Sequence, residues 1–347
     1  MSLLTSLISH QIWLQRTASG EVKDLTPFIQ EMRDEIKRQV LLFGDDGRST
    51  ARLNKLLRDL EEALAGLTGD WQTKLTEDLK ELAAYEAEWN VKTLTTNVNA
   101  EFITPTAEQV WAAAEFQPLS LSDKPVDFTK LMDGWGEAEV ARLVTGVKMG
   151  FVQGQTTRQI VKNVVGAGGL ADVSERNAAT VIRTALSHVS NEARNETYRQ
   201  NDDIIEKYEW VSTLDSRTST ICRARDGMTW EIGKGPMPPA HPNCRSCTAP
   251  VISSEFDFLD KGAKRAAKGA DGGTQVSADT TYYEFLKQQP AWFQDEALGP
   301  TRGKIFRNSG ISPEEFRVIS VDGFGNPLTL KQMAELDKRV ADYLKGE

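Results

Sequence analysis

Residues 213–222 read TLDSRTSTIC and residues 238–247 read PPAHPNCRSC, and these two segments hold all three cysteines of the chain and one of its three histidines. Cys244 and Cys247 have the C-x-x-C spacing with which one turn can present two thiolates to one ion. His241 stands three residues before Cys244, so it can join the same turn. Cys222 is the candidate fourth ligand, arriving from a preceding strand or hairpin. One histidine with three cysteines is a tetrahedral ligand set typical of zinc.

Two alternatives to a bound metal stay open for this cluster, namely a metal-free local fold and a disulfide. The apolar residues among positions 3–8 are interrupted by polar ones and follow no basic segment, so we expect no secretory signal peptide. A reducing cytosol keeps cysteines as thiols, so a chain that stays there is not expected to form a disulfide. A closed four-ligand site would be structural, whereas a catalytic site would leave one position open, with Asp215 or Asp226 as participants.

The bulk composition favours protein partners. The chain has 347 residues, of which 39% are hydrophobic and 26% are charged, and its formal net charge is −9. No apolar run approaches the length of a membrane span, so we expect folding to need no membrane. The negative charge argues against non-specific coating of nucleic acid, which rests on neutralising phosphates. A small basic patch for packaged DNA remains compatible with it.

Apolar periodicity predicts helices over most of the chain. Apolar residues recur at three- and four-residue steps in residues 28–41, 53–64 and 71–89, with predicted breaks at residues 44–47 and 66–69. A long helix is predicted from about Ser174 to Asn201. After Asp202 the pattern changes to alternation, which predicts short strands near residues 208–211, 228–232 and 248–252.

We therefore predict a mainly α fold with a small α+β domain, in which long helices are followed by a small sheet-and-loop unit that contains the Cys/His cluster. This unit is expected to pack on the long helix that ends near Asn201. The chain divides into four predicted segments: a helical N-terminal region (1–135), a domain with the Cys/His motif (136–255), a linker (256–280) and a C-terminal interaction arm (281–347).

The last two segments are predicted from composition. The linker is rich in Gly, Ala, Lys and Asp, and its basic residues are expected to be exposed. These basic residues are Lys261, Lys264, Arg265 and Lys268. The arm carries many large apolar side chains, with Trp292 and Phe293 as candidate anchors on a partner protein. The alternative is that it folds back onto its own helical domain.

The residues around the cluster resemble the signature of phage minor head, or head-morphogenesis, proteins, the family of the minor head protein of phage Mu. The resemblance covers roughly residues 140–252. It is carried by Trp210, Asp215, Arg217, Thr218, Cys222, Gly227, His241, Pro242, Asn243, Cys244 and Arg245, with Arg183 and Thr184 in the preceding helix. The stretch from Tyr283 to Phe306 is similar to an extension found in many such proteins. The chain departs from the pattern at two positions. Ser246 separates Arg245 from Cys247 where many members read Cys-Arg-Cys, and Ser219 stands where relatives often have cysteine.

The resemblance implies a structural virion protein and no enzyme. Such a protein is made in the host cytoplasm and lies in the capsid interior near the portal, in multiple copies or as an oligomer. The implied partners are the portal protein and the major capsid or scaffolding protein, and the implied roles are head assembly, DNA packaging or delivery. Two alternatives stay open: an internal virion protein ejected with the genome, or a metal-dependent hydrolase or nuclease built on Asp215, Arg217 and His241.

Overall fold

A computed structural model describes residues 2–45, 49–121, 124–252 and 262–346. In these ranges the chain is mainly helical with three small antiparallel sheets, which confirms the predicted fold class. The first two hundred residues carry α1 (Leu3–Asp24), α2 (Thr26–Phe43), α3 (Thr50–Val98), α4 (Ala107–Phe116), β1 (Leu119–Leu121), β2 (Lys124–Val126), α5 (Phe128–Val152), α6 (Thr157–Val165) and α7 (Leu170–Gln200). None of the helices in these ranges combines the length and the apolar character needed to cross a bilayer.

Helix α3 runs unbroken through Gly66 and Gly69, so the predicted break at residues 66–69 is wrong. Leu64 and Trp71 are seven residues apart, which is about two turns, so the apolar stripes before and after the glycines share one face. Both side chains are buried. Burying each contributes about 1.5–3 kcal/mol, which exceeds the cost of about 1 kcal/mol for a glycine in a helix.

The predicted boundary at residue 135 is also wrong, because it falls inside α5. Helices α1 to α7 share one apolar core, which extends from Leu14 to Ala193 along the chain. Helix α7 lies centrally and packs against α1, α3, α4 and α5. The N-terminal region and the first half of the predicted motif domain are therefore one helical body.

The pattern change after Asp202 marks a small sheet, as predicted. It consists of β3 (Ile205–Val211), β4 (Thr229–Glu231) and β5 (Cys247–Ile252), in the order β4-β3-β5 and antiparallel throughout. A short helix, α8 (Thr220–Arg225), connects β3 to β4. The sheet packs on the end of α7, where the Tyr198 hydroxyl donates to the carbonyl of Thr248 over 3.3 Å. The prediction of one unit packed on this helix is confirmed.

The predicted linker is wrong over the residues that the structure describes, and residues 256–261 of it, including Lys261, lie outside them. Strands β6 (Lys264–Gly269) and β7 (Gly272–Ser277) form a hairpin. The hairpin docks on the Cys/His unit, because Leu214 pairs with Ala267 and Arg265 is 2% exposed. Arg265 is therefore not part of an exposed basic surface, whereas Lys264 and Lys268 are exposed.

The C-terminal segment packs on the Cys/His unit and the β6–β7 hairpin, so the prediction of a tethered arm is wrong. The alternative is right that the segment docks on its own chain, but the surface is this unit and not the helical body. The segment consists of α9 (Tyr282–Lys287), α10 (Ala291–Leu298), α11 (Pro300–Asn308), α12 (Pro313–Ser320), α13 (Leu330–Leu336) and α14 (Lys338–Gly346). Their core includes Leu214 and Ala267 from the preceding units. Phe293 is buried in this core and is not available as an anchor, whereas Trp292 is 57% exposed.

Candidate metal centre

Cys222 is presented by α8, whose start is set by Ser219. The Ser219 side chain caps the helix by accepting from the backbone N–H of Cys222 at 3.4 Å. The Cys222 side chain points into a small apolar cluster with Trp210, Ala240 and Cys244. Serine is a preferred residue at a helix start because its oxygen satisfies a backbone N–H that has no partner in the helix.

His241 and Cys244 are presented by one turn, as the spacing predicted. The N–H of Cys244 donates to the carbonyl of His241 over 3.1 Å. Pro242 occupies the second position of the turn, and Asn243 the third with a φ of 58°. Proline followed by a residue with positive φ is the arrangement of a type II turn, and asparagine tolerates that conformation better than most residues. This explains the Pro-Asn pair of the motif.

The turn is fastened to α7 by Asn243. Its backbone N–H donates to the Thr184 hydroxyl over 3.1 Å, and its side-chain amide donates to the Thr180 hydroxyl over 3.2 Å. Thr184 thus has a positioning role, while Arg183 is exposed and lines a neighbouring cavity together with His241. The turn that carries His241 and Cys244 is therefore held by the central helix of the body.

Three side chains converge on one point. The Cys222 sulphur lies 3.3 Å from His241 Nε2 and 3.6 Å from the Cys244 sulphur. All three donor atoms lie within 4.8 Å of one another. In a tetrahedral zinc site the bond lengths of about 2.3 Å to sulphur and 2.0 Å to nitrogen put the ligand atoms about 3.5–3.8 Å apart. The observed separations are close to these, and two sulphurs with one imidazole suit zinc, so the residues fit the ion.

The orientation of His241 also suits a metal ligand. Its Nδ1 lies 2.9 Å from the carbonyl oxygen of Pro242, which can only accept, so Nδ1 carries the hydrogen. That leaves Nε2 facing the thiols. A histidine that binds a metal commonly donates its other ring N–H to a carbonyl in this way. The Ser219 hydroxyl lies 2.8 Å from the same Nε2.

The pKa values of Cys222, Cys244 and His241 are shifted in different directions. Burial raises the pKa of the Cys222 thiol well above its ordinary value. The hydrogen bond from that thiol, with help from His241, holds the pKa of Cys244 well below its ordinary value. Burial lowers the pKa of His241, but the Cys244 thiolate outweighs it and raises that pKa. A thiolate stabilised by a neighbouring thiol and imidazole is the form that binds a metal.

Cys247 does not belong to this centre, and its prediction as a ligand is wrong. It begins β5 opposite Val211 and belongs to a different apolar cluster from Cys222 and Cys244. Burial raises the pKa of its thiol, and the charge of Arg194 acts in the opposite direction. The tight turn ends at Cys244, and Cys247 belongs to the strand that follows, so its sulphur does not join the group. Among the described residues, the group of candidate ligands therefore has three members.

Asp215 is held in a bidentate ion pair with Arg245, at 2.5 and 2.8 Å. It also accepts from the Thr218 hydroxyl at 3.1 Å and from the backbone N–H of Arg217 at 3.0 Å. Burial opposes ionisation of Asp215, but the hydrogen bonds from Arg245 outweigh it and keep the pKa below its ordinary value. Asp215 thus caps its own turn and pairs with Arg245 rather than with the Arg217 side chain.

Asp226 is likewise committed to structure. Its carboxylate accepts from Arg265 at 2.9 and 3.1 Å and from the backbone N–H of Ser212 at 2.7 Å. The next residue, Gly227, has a φ of 77° and donates its N–H to the carbonyl of Trp210. Residues that carry a side chain rarely adopt this backbone conformation, so the position requires glycine. No carboxylate joins the Cys/His group within the described residues.

Residues 141–249 match the family model described as phage Mu protein F like protein. The matched segment runs from α5 through α7 and the Cys/His centre to β5, and it spans less than half of the chain. This confirms the predicted resemblance to the phage head-morphogenesis family. Neither the curated proteins nor the solved structures compared with the chain gave a match.

Sequence reasoning missed two residues of this unit. Ser219 departs from the family pattern, yet its hydroxyl caps α8 and lies 2.8 Å from His241 Nε2. Its position three residues before Cys222 at a helix start was the available signal. The composition of its segment predicts an exposed Arg265, whereas its buried partner Asp226 is 39 residues away. The residues next to Arg265 and Asp226 in the sequence give no indication that the two form an ion pair.

Proposed function

We propose that the chain is a structural minor head protein of a tailed phage, which acts in head assembly, DNA packaging or delivery and lies inside the capsid near the portal. The proposal rests on one observation, namely that the residues matched by the family model form one continuous structural region. The match over residues 141–249 begins in α5 of the helical body and ends in β5, and it contains every ligand of the Cys/His centre.

The motif residues support a structural role rather than catalysis. Asp215 and Asp226, the acids that a hydrolase would use, are each tied to an arginine and to backbone N–H groups. A general acid or base must reach a substrate proton, and these two carboxylates are directed into the protein. Thr184, Pro242 and Asn243 shape the turn. No specific observation favours the enzyme alternative.

We further propose that Cys222, His241 and Cys244 hold a zinc ion, with Ser219 or a water molecule at the fourth position. A bound zinc ion would cross-link two segments that lie apart in the sequence. Here it would join α8 to the turn that Thr184 fastens on α7. Since binding to a preformed site stabilises the folded state, zinc is expected to raise the thermal stability of residues 205–252.

The location of the protein in particles tests the function. Full and emptied heads of the phage that encodes the chain are imaged, and the copy number is measured by quantitative mass spectrometry of both. A fixed small number of copies that remains with emptied heads supports the structural role. Loss of the protein together with the genome supports the ejected-protein alternative, and its absence from full heads contradicts both.

The zinc proposal has a separate test with a matched control. Cys244→Ser and Cys247→Ser make the same chemical change at two buried sulphurs three residues apart. Purified under reducing conditions without chelator, the protein and Cys247→Ser are expected to carry about one zinc per chain, and Cys244→Ser much less. Absence of zinc from the unsubstituted protein contradicts the proposal.

A further inference from the structure

A cavity of about 510 Å³ lies between α8 and the C-terminal helices, next to the Cys/His centre. Its lining includes three arginines and a histidine: Arg217, Arg223, Arg302 and His241. No described aspartate or glutamate lines it. The chain has 50 acidic residues against 41 Lys and Arg. In such an acidic protein, a cavity whose charged lining residues are three arginines points to an anionic ligand.

Arg223 is the central observation. It is 6% exposed, yet it makes no ion pair within the described part of the chain. One of its terminal nitrogens donates to the carbonyl of Ser216 over 3.3 Å, and its guanidinium lies 5.2 Å from the centre of the Tyr282 ring. Its Nε is buried without a hydrogen-bond partner. Buried arginines are nearly always paired, because an uncompensated charge away from water is costly.

Two other arginines of the same region, the buried Arg265 and the partly buried Arg245, show the usual arrangement. Arg265 holds Asp226, and Arg245 holds Asp215. Arg223 precedes both in the sequence and has no such carboxylate partner within the described part of the chain. Unlike Arg194, which is also buried without an ion pair to a described residue, Arg223 lines the cavity, so an anion bound there would supply its counter-charge.

Other hydrogen-bond donors in the cavity wall also lack an anionic partner among the described residues. Arg302 donates to the carbonyl of Leu328 over 2.7 Å but forms no ion pair with a described residue, and the same is true of the exposed Arg217. The Tyr283 hydroxyl is buried and makes no hydrogen bond of normal geometry, since its neighbour Ser320 donates instead to the carbonyl of Phe316. One cavity thus offers three guanidinium groups and a phenolic O–H.

We infer that this cavity binds a phosphoryl group carried by a small molecule of up to nucleotide size. Three guanidinium groups suit a doubly charged oxyanion better than a single carboxylate, and arginine matches phosphate oxygens with paired N–H donors. The volume lies in the range of small-molecule sites. A duplex cannot enter, because Arg223 and Tyr283 are at most 6% exposed. This inference does not rest on the proposed function.

The test measures binding of inorganic phosphate, pyrophosphate and adenosine monophosphate to the full-length protein by isothermal titration calorimetry at constant ionic strength. We expect saturable binding with one site per chain. Arg217→Ala should weaken it about tenfold, as expected for one charge-assisted hydrogen bond. Arg217 is exposed, so this variant should keep its fold and zinc content. Arg223→Met should abolish binding, and circular dichroism checks that it folds.

The control is Arg158→Ala, which removes an exposed arginine of α6 that forms no ion pair with described residues and does not line the cavity. It should bind phosphate like the unsubstituted protein. No saturable binding at about 10 mM phosphate or pyrophosphate would overturn the inference. So would equal weakening by Arg217→Ala and Arg158→Ala, which indicates a general charge effect.

A second arm separates the sources of the phosphate. A short single-stranded oligonucleotide is compared with and without a 5′-phosphate. Competition with pyrophosphate only when the 5′-phosphate is present supports the same pocket. Tight binding that ignores the 5′-phosphate, with no binding of the small phosphates, identifies a surface for nucleic-acid backbone and overturns the inference.

Discussion

The ion pair of Arg265 with Asp226 fastens the β6–β7 hairpin to the Cys/His unit, and we predict that Arg265→Met detaches the hairpin. The two side chains are 2% and 0% exposed. Arg265 also donates to the carbonyls of Ser212 and Thr280 at 2.6 and 3.1 Å. Methionine fills similar space without charge, so the substitution leaves the Asp226 carboxylate buried and unpaired. Removing one partner of a buried pair costs about 3–5 kcal/mol.

Hydrogen exchange measures this cost locally. Each 1.36 kcal/mol is a factor of ten, so the amides paired within β6 and β7 should exchange roughly 150- to 5,000-fold faster in Arg265→Met. Amides in the middle of α3 should not change, because the helical body does not depend on the hairpin. Exchange is followed by mass spectrometry at a pH where closing outpaces exchange, so that rates report free energies of opening.

The matched control is Lys264→Met, which removes the same charge from the neighbouring position of the same strand. Lys264 is exposed, so its loss should change stability by less than about 0.5 kcal/mol. The double variant Asp226→Asn with Arg265→Met should be less destabilised than the sum of the single variants, since it leaves no unpaired charge. If Arg265→Met exchanges no faster than Lys264→Met, the ion pair does not hold the hairpin and the reasoning is refuted.

Three further predictions concern separate parts of the molecule. Cys244→Ser should lose the rise in melting temperature that zinc produces, whereas Cys247→Ser should keep it, and equal behaviour in a thermal-shift assay would contradict the three-ligand centre. Burial raises the pKa of Glu192 to about 7 from 4.5, so the stability linked to its proton is fully present below pH 4.5 and is lost as pH rises through 7. Glu192→Gln should therefore stabilise the protein by about 3 kcal/mol at about pH 8 and little near pH 4.5, as measured by urea unfolding; a difference independent of pH speaks against it. Deletion of residues 280–347 uncovers Leu214 and should lower the melting temperature and increase binding of a hydrophobic dye, whereas an unchanged melting temperature would restore the picture of a free arm.

The sequence was sufficient for features that depend on neighbouring residues. Apolar spacing predicts the helices, and the change to alternation after Asp202 predicts the sheet. The turn from His241 to Cys244 follows from Pro242 and Asn243, whose backbone preferences are local. The family resemblance belongs to the same level, because it rests on residue types in a fixed order.

Tertiary structure alone decided which distant residues meet. Arg245 rather than Arg217 pairs with Asp215, because the segment that carries Arg245 returns beside it. The chain enters β5 at Cys247, so that sulphur leaves the centre although its spacing from Cys244 suits a shared ion. Residues 264–277 have the composition of a linker, yet a buried ion pair makes them a docked hairpin. Composition and spacing describe what a segment prefers by itself. Burial and pairing depend on the surface that another segment presents, and only the folded chain brings those surfaces together.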